Sequence, residues 1–307
     1  MMKMKIVGAF LLLAIALMIP MTGCGDDDGG GSANISEAEL VEKVTDSSAN
    51  VETCQFSMQM TMDMSSKGDG ESLDMKVEYD GTGTIDNVNQ RMAMDMSVNM
   101  DMNMFGMDTD QDMAMEIYYI DDLMYMMTES DMMGTEWTKS SLPEETTWES
   151  QDMVAQQTEL LQGASLDISD GGMVNGISCY KVDTIPNMVS LYEAMMQQPG
   201  MGSTEGLPEG MNIADLMDMI KEIEVTQWYA KDTFFPMKSD MSMTMVMTSE
   251  DMDPSGMMGD MEMEMDMTMN MEFNNYNEPV SIELPPEAAN AVEIDMDDDW
   301  DDDWDWE

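Results

Sequence analysis

MEMEMDMTMNMEF, residues Met261–Phe273, places a methionine at every odd position from 261 to 271 and an acidic or small polar residue at every even position. A period of two puts these two sets of side chains on opposite faces of a β-strand. On a helix, the same spacing would distribute the methionines around the whole cylinder and bury carboxylates beside them. The alternation therefore predicts a strand with one apolar face and one polar face, although methionine alone favours helix.

The same alternation recurs along the chain and predicts a protein built largely of antiparallel strands. It is found in residues 56–64, 73–79, 92–104, 113–119 and 235–248. Strands with one apolar face need a cover for that face. We therefore expect an α+β, mostly β fold, in which a strongly curved antiparallel sheet wraps around helices.

Helices are predicted in four places. The first begins at Ser36, where Ser36 and Glu39 form a capping box, and ends near Ala49. The others are predicted at 148–163, 188–197 and 212–223, the last from the spacing of its apolar residues. Because these segments lie between predicted strands, we expect one domain rather than two.

The composition is strongly acidic, with 64 Asp and Glu against 11 Lys and Arg and a formal net charge of −53. This charge repels nucleic acid, so no nucleic-acid partner is expected. It is typical of a solvated surface, and it also suits a cationic partner, divalent cations or a salt-rich medium. The chain has no histidine, which removes the commonest general base and metal ligand. We predict a protein that is not an enzyme, with no catalytic residue, metal site or cofactor.

The N-terminal residues have the pattern of a targeting segment. Lys3 and Lys5 precede an apolar run over residues 6–18, which leads to Met21-Thr22-Gly23-Cys24. This resembles a bacterial lipobox, in which cleavage before the cysteine leaves a thiol that carries lipid such as palmitate. The alternative is an ordinary signal peptide with an incidental cysteine. We predict lipid attachment at Cys24 and a location on the outer face of the cell membrane. The predicted organisation is a lipoprotein signal peptide over 1–23, a flexible tether over 24–34, one domain over 35–294 and a disordered acidic tail over 295–307.

Three phrases, in this order after the lipobox, carry a resemblance to a known superfamily. They are YYIDDLMYM at Tyr118–Met126, WYAKDTFFPMK at Trp228–Lys238 and NNYNEPVSIELP at Asn274–Pro285. Together with the order of elements over residues 36–285, they resemble the LolA/LolB and LppX/LprG-like lipoproteins. The resemblance implies a half-open antiparallel β-barrel of about 11 strands, with helices closing its concave side. It also implies a carrier of lipids, acylated proteins or glycolipids, or an envelope sensor.

Methionine supplies 48 of the 307 residues, where relatives usually have Leu, Ile, Val and Phe. Its flexible thioether suits a cavity that accepts varied acyl chains. We predict that an apolar small molecule or lipid binds in a methionine-lined cavity whose mouth is gated by helices 188–197 and 212–223. A soft-metal protein for Cu(I) or Ag(I) is one alternative, and an envelope sensor or interaction protein with a filled core is another. The predicted lining residues are Met58, Met60, Met94, Met96, Met243, Met245, Met265 and Met267.

Two further features remain open. Cys54 and Cys179 are the other cysteines, and an extracytoplasmic compartment allows a disulfide between them. The alternative is two buried thiols. The acidic tail contains Trp300, Trp304 and Trp306 but lacks the spacing of a calcium loop. The two roles open to these tryptophans are docking on a basic protein partner and insertion at an interface. We predict that the protein is a monomer.

Overall fold

The computed structural model describes residues 35–68, 71–104, 107–130, 134–141, 148, 161, 164–185, 219–248 and 261–294. Cys24, the predicted tether and the acidic tail lie outside these residues. So do the predicted helix at 188–197, residues 212–218 and all but Trp148 and Leu161 of the predicted helix at 148–163.

The described residues form one α-helix, one short 3₁₀ helix and a single sheet of twelve strands. Helix α1 is Glu37–Ser48, and the 3₁₀ helix is Pro286–Asn290. The strands are β1 (Thr53–Gly68), β2 (Glu71–Asp86), β3 (Arg91–Met104), β4 (Met107–Ile120), β5 (Leu123–Ser130), β6 (Gly134–Ser141), β7 (Ser165–Val174), β8 (Ile177–Ile185), β9 (Ile220–Ala230), β10 (Pro236–Thr248), β11 (Met261–Asn274) and β12 (Val292–Glu293).

The sheet joins two meanders through a pair of strands that are distant in sequence. Its order is β12-β6-β5-β4-β3-β2-β1-β11-β10-β9-β8-β7. Strand β1 pairs with the whole length of β11, from Gln55 opposite Asn274 to Gly68 opposite Met261. All neighbours are antiparallel except β12, which pairs in parallel with β6. This central pairing brings the methionine-rich strands of both halves of the chain together.

The register places methionine opposite methionine. Met62 on β1 lies opposite Met267 on β11, and Met267 lies opposite Met243 on β10. Side chains directly opposite each other have Cβ atoms about 5 Å apart, so these thioethers pack in rows across the sheet. We call this buried side of the sheet the methionine face, and the opposite side, which carries Asp, Glu, Ser and Thr, the polar face. The strand predicted at Met261–Phe273 is confirmed as β11. The other rows are Met60, Met269 and Met241, and Met64, Met265 and Met245.

The prediction that helices close the concave side of a half-open barrel is wrong. The part of the chain that the structure describes has a single α-helix beside an open sheet of twelve strands, and it is mostly β. The helix predicted over 212–223 ends in residues that belong to β9, where Ile223 lies opposite Met243. Pairing with β10 satisfies the backbone there and overrides the helical spacing of apolar residues. The strand beyond the expected number is β12, a two-residue pairing after the 3₁₀ helix.

Helix α1 is formed where it was predicted. The Ser36 side chain accepts a hydrogen bond from the Glu39 N–H at 3.3 Å, which satisfies one of the free donors at the helix start. The helix buries Leu40 and Val44 in a cluster that contains Val182 and Tyr229. Tyr229 lies four residues after Val225 on β9, and Val225 packs with the methionines. By the alternation of a strand, α1 therefore covers the β7–β9 end of the methionine face.

Candidate functional site

The eight methionines predicted to line a cavity all lie on the methionine face. Six of them, at 58, 60, 243, 245, 265 and 267, are on the adjacent strands β1, β11 and β10 and are buried. Met94 and Met96 are on β3, on the far side of β2. The register connects them, since Met58 lies opposite Gly81 on β2 and Gly81 lies opposite Met96. The sheet therefore brings all eight residues into one continuous surface.

Two positions of this surface on β2 are glycines, Gly81 and Gly83. A Cβ atom at Gly81 would lie 3.9 Å from the Met58 methyl carbon and 3.8 Å from Met96 Cγ, at ordinary contact distance. A Cβ atom at Gly83 would overlap the ring of Phe56. The rings of Phe56 and Phe273 lie 6.5 Å apart between centroids at this end of the face. Aromatic packing closes this end, whereas Gly81 leaves a position without a side chain between two flexible methionines.

One polar group stands inside the methionine face near this position. Tyr79 is two residues before Gly81, lies opposite Met60 and Val98, and is 4% exposed. Its hydroxyl has no hydrogen-bond partner among the described residues. Burial raises the pKa of Tyr79 to about 12, so the hydroxyl keeps its proton. The alternation placed Tyr79 among the apolar positions of its strand. The only sequence feature that distinguishes it is that it carries a hydroxyl group where the two preceding positions in phase carry methionine and valine.

A second buried hydroxyl lies at the other end of the sheet. Thr184 on β8 is opposite Val225, and its Oγ1 also has no partner among the residues that the structure describes. Strands β1, β11, β10 and β9 separate β8 from β2. Thr184 is therefore remote from Tyr79 and from Gly81.

The polar face carries open, acidic grooves. One groove has a volume of about 600 Å³ and includes Asp63, Lys76 and Asp101. A second, of about 760 Å³, includes Gln59, whose Nε2 donates a hydrogen bond to Asp80 at 2.8 Å. The described residues contain no group of three or more Cys, Asp or Glu arranged to hold a metal ion. These grooves have the character of a hydrated surface with charged side chains exposed to water.

The structure does not bring Cys54 and Cys179 together. Cys54 packs with the methionine-face residues, whereas Cys179 packs with Ala230 and Met237. Ala230 follows Tyr229 on β9, so the Cys179 cluster is on the polar side of that strand. Strands β11, β10 and β9 lie between β1 and β8, a separation of about 19 Å along the sheet. A disulfide needs Cα atoms about 4.4–6.8 Å apart.

No helix among the described residues is long and apolar enough to cross a membrane. Lipid attachment at Cys24 concerns residues outside the described part of the chain, so it stays a prediction.

The sheet and its methionine face define a mostly β protein with one buried thioether-rich surface. The chain belongs to the Family of unknown function (DUF6612), whose model matches residues 36–167 and 186–293. The match leaves out residues 168–185, which are most of the β7–β8 hairpin. No curated protein matches the chain.

Two solved structures are similar to the chain. One is a DUF1329 family protein from Desulfovibrio piger, with 10% identity, 80% of this chain and 93% of that chain covered, and a TM-score of 0.25. The other is a β-barrel-like protein of domain of unknown function DUF1849 from Brucella abortus. It has 9% identity, 71% of this chain and 98% of that chain covered, and a TM-score of 0.29.

Proposed function

We propose that this protein is a lipid-anchored extracytoplasmic protein that binds or carries an apolar ligand, a lipid or acyl group, on its methionine face. The observation that supports the proposal is the continuity of that face. It runs from Met94 and Met96 on β3 to Met243 and Met245 on β10 through three other strands. Five neighbouring strands span about 19 Å. An acyl chain can therefore lie across these five strands and stay in contact with the methionine face.

The use of methionine, rather than branched apolar residues, also supports the binding of a ligand on this face. Branched residues such as Leu and Ile specify a filled core better, because their rotamers are better defined. Methionine has three rotatable bonds and adapts its shape to different neighbours. Rows such as Met62, Met267 and Met243 therefore suit a surface that must accept chains of varying length. A core that only had to be filled would have little use for rows of methionine.

The proposed anchor at Cys24 would keep the protein at the membrane that supplies the ligand. The proposal assigns no reaction to the chain and no cofactor to it. In the same proposal the protein acts as a monomer, and the acidic tail over 295–307 contacts a basic protein partner.

The test is native mass spectrometry of the protein purified from its own membranes and cleaved from its anchor. We expect an adduct in the mass range of a lipid. The double variant M243Q/M265Q should lose the adduct, because it places amide groups in the centre of the face. The control variant M173Q changes a methionine that is 66% exposed on β7 and should keep it. Circular dichroism of each variant confirms that the sheet is intact. A bare polypeptide mass for the wild-type protein would contradict the proposal and favour a filled core.

A soft-metal protein is the second candidate, and one observation favours it. The register opposes Met62 to Met267 and Met267 to Met243, so each of these thioethers has another directly opposite it on the adjacent strand. Thioethers are suitable ligands for Cu(I) and Ag(I). The double variant M243L/M265L separates the two candidates, because leucine keeps the apolar surface and removes the sulfur. It should retain a lipid adduct, whereas silver adducts in whole-atom steps should be lost.

A further inference from the structure

Within the six strands from β10 to β4, Tyr79 is the one polar residue in its row, which continues to Thr184 on β8 and to Ser130 on β5. The row through β10, β11, β1, β2, β3 and β4 contains no charged residue, and the phenol stands at its centre. In order, its members are Met241, Met269, Met60, Tyr79, Val98 and Met113. A side chain that only filled space here would need no hydroxyl.

The hydroxyl of Tyr79 is buried without a hydrogen-bond partner among the described residues. Buried hydroxyl groups in native proteins almost always have a partner, because the loss of water is otherwise uncompensated. An exception of this kind calls for an explanation, and a bound group that completes the hydrogen bond is one. Two residues further along β2, Gly81 carries no side chain, and its neighbours on this face are the flexible side chains of Met58 and Met96.

We propose that the Tyr79 hydroxyl is the polar contact of the ligand site and donates a hydrogen bond to an uncharged carbonyl oxygen of an acyl ester. This inference rests on the proposed function and names the class of ligand. The acyl chain lies along the methionine rows, and the ester group lies beside Gly81. Tyr79 thereby fixes the direction and position of the acyl chain on a surface that is otherwise apolar.

The protonation of Tyr79 makes it a donor. Burial raises its pKa to about 12, so the hydroxyl is protonated over the whole physiological range. A phenol in this state can give one hydrogen bond to a carbonyl oxygen.

The charge of the protein favours an ester over a free carboxylate. The row through Tyr79 offers no cation, and its neighbours along β2, Glu78 and Asp80, are acidic. The whole chain carries a formal charge of −53. An anionic headgroup would enter an apolar row without a cation in a strongly negative protein, which is costly. A neutral ester avoids this penalty and still accepts the hydrogen bond.

The experiment uses the full chain and three probes that compete with the fluorescent dye N-phenyl-1-naphthylamine. Methyl myristate carries the ester, n-heptadecane has the same number of heavy atoms without it, and myristate carries the charge. We expect the variant Y79F to lower the affinity for methyl myristate about five- to tenfold and to change the affinity for heptadecane by no more than about twofold. Myristate should bind the wild-type protein more weakly than its methyl ester, and the difference should shrink with added salt.

The matched control is T184V, which also removes a buried hydroxyl without a partner, at the remote end of the sheet. It should change the affinity of neither neutral probe. Y79F removes a hydroxyl without a partner and is expected to melt no lower than the wild-type protein, so misfolding does not confuse the result.

The outcomes separate the inference from the function on which it rests. If Y79F lowers the affinity for both neutral probes equally, or for neither, Tyr79 is not the polar contact and the inference is overturned. The binding of apolar ligands by the methionine face is not contradicted by that result. If none of the three probes displaces the dye from the wild-type protein, the proposed function fails and the inference fails with it.

Discussion

The aromatic ring of Phe56 on β1 lies directly over Gly83 on β2, in the space that a Cβ atom would occupy. The two residues face each other in the register, and Phe56 also faces Phe273 on β11. Both phenylalanines are buried. The absence of a side chain on β2 therefore lets an aromatic pair close one end of the methionine face.

Replacement of Gly83 by alanine should destabilise the protein. The added methyl group overlaps ring atoms of Phe56 and approaches the Ala93 carbonyl oxygen to 3.0 Å. Overpacking of this kind costs about 1–3 kcal/mol. The matched control is G81A, for which the nearest atom is the Asp95 carbonyl oxygen at 3.4 Å. G81A should be neutral or stabilising by up to about 1 kcal/mol, because alanine reduces the freedom of the unfolded chain. Urea unfolding curves measure both, and equal effects would show that Phe56 moves aside without cost.

The methionine rows should contribute strongly to stability. Met267 is 2% exposed, between Met62 and Met243. We expect M267A to lower the free energy of unfolding by about 2–5 kcal/mol, since it removes buried methylene groups and leaves a cavity. M173A, at a residue that is 66% exposed, should change it by no more than about 0.5 kcal/mol. A loss below about 1 kcal/mol for M267A, measured by urea unfolding, would mean that the rows are loosely packed.

The period-two alternation predicted the methionine-rich strands and the two faces that they give to the sheet. Met261–Phe273 and β11 agree because side-chain direction in a strand follows from local geometry alone. The neighbours of each strand could not be predicted in this way, since the pairing of β1 with β11 joins residues that are far apart in sequence. The error at Ile220 and Ile223 has the same origin, because pairing with β10 decides their conformation.

The candidate site was predictable only in part. All eight methionines share one face, as their phase implied, but the sequence could not show that Met58 and Met96 lie on either side of Gly81. It also gave no means to separate Tyr79 from the apolar residues around it. The lack of a hydrogen-bond partner is a property of the packed sheet. The same holds for Cys54 and Cys179, whose faces depend on the register of strands from both halves of the chain.

The acidic polar face should make stability depend on salt. Asp110 on β4 lies directly opposite Asp101 on β3, and like charges in this position repel each other. We expect D110N to stabilise the protein by a few tenths of a kcal/mol, about 0.2–0.5, at low ionic strength. The gain should vanish at about 1 M salt, where the Debye length is about 3 Å. The control is E78Q, which neutralises a carboxylate that forms an ion pair with Lys76 at 2.6 Å. This variant should not increase the free energy of unfolding. A stabilisation by D110N that persists in high salt would indicate a cause other than charge repulsion.

Stability should also fall in strong base because of Tyr79. Burial raises the pKa of Tyr79 to about 12 in the folded protein, whereas an unfolded tyrosine has a pKa near 10. The unfolded chain therefore loses this proton first, so it binds fewer protons than the folded protein between about pH 10 and 12. The stabilisation is complete below about pH 10, and on the order of 2 kcal/mol is lost by pH 12. Urea unfolding at a series of pH values should show a smaller fall for Y79F than for the wild-type protein. The difference in phenolate absorbance between the two native proteins gives the pKa directly. A titration near pH 10 in that difference would show that water reaches the hydroxyl, and it would remove the reason to seek a ligand as its partner.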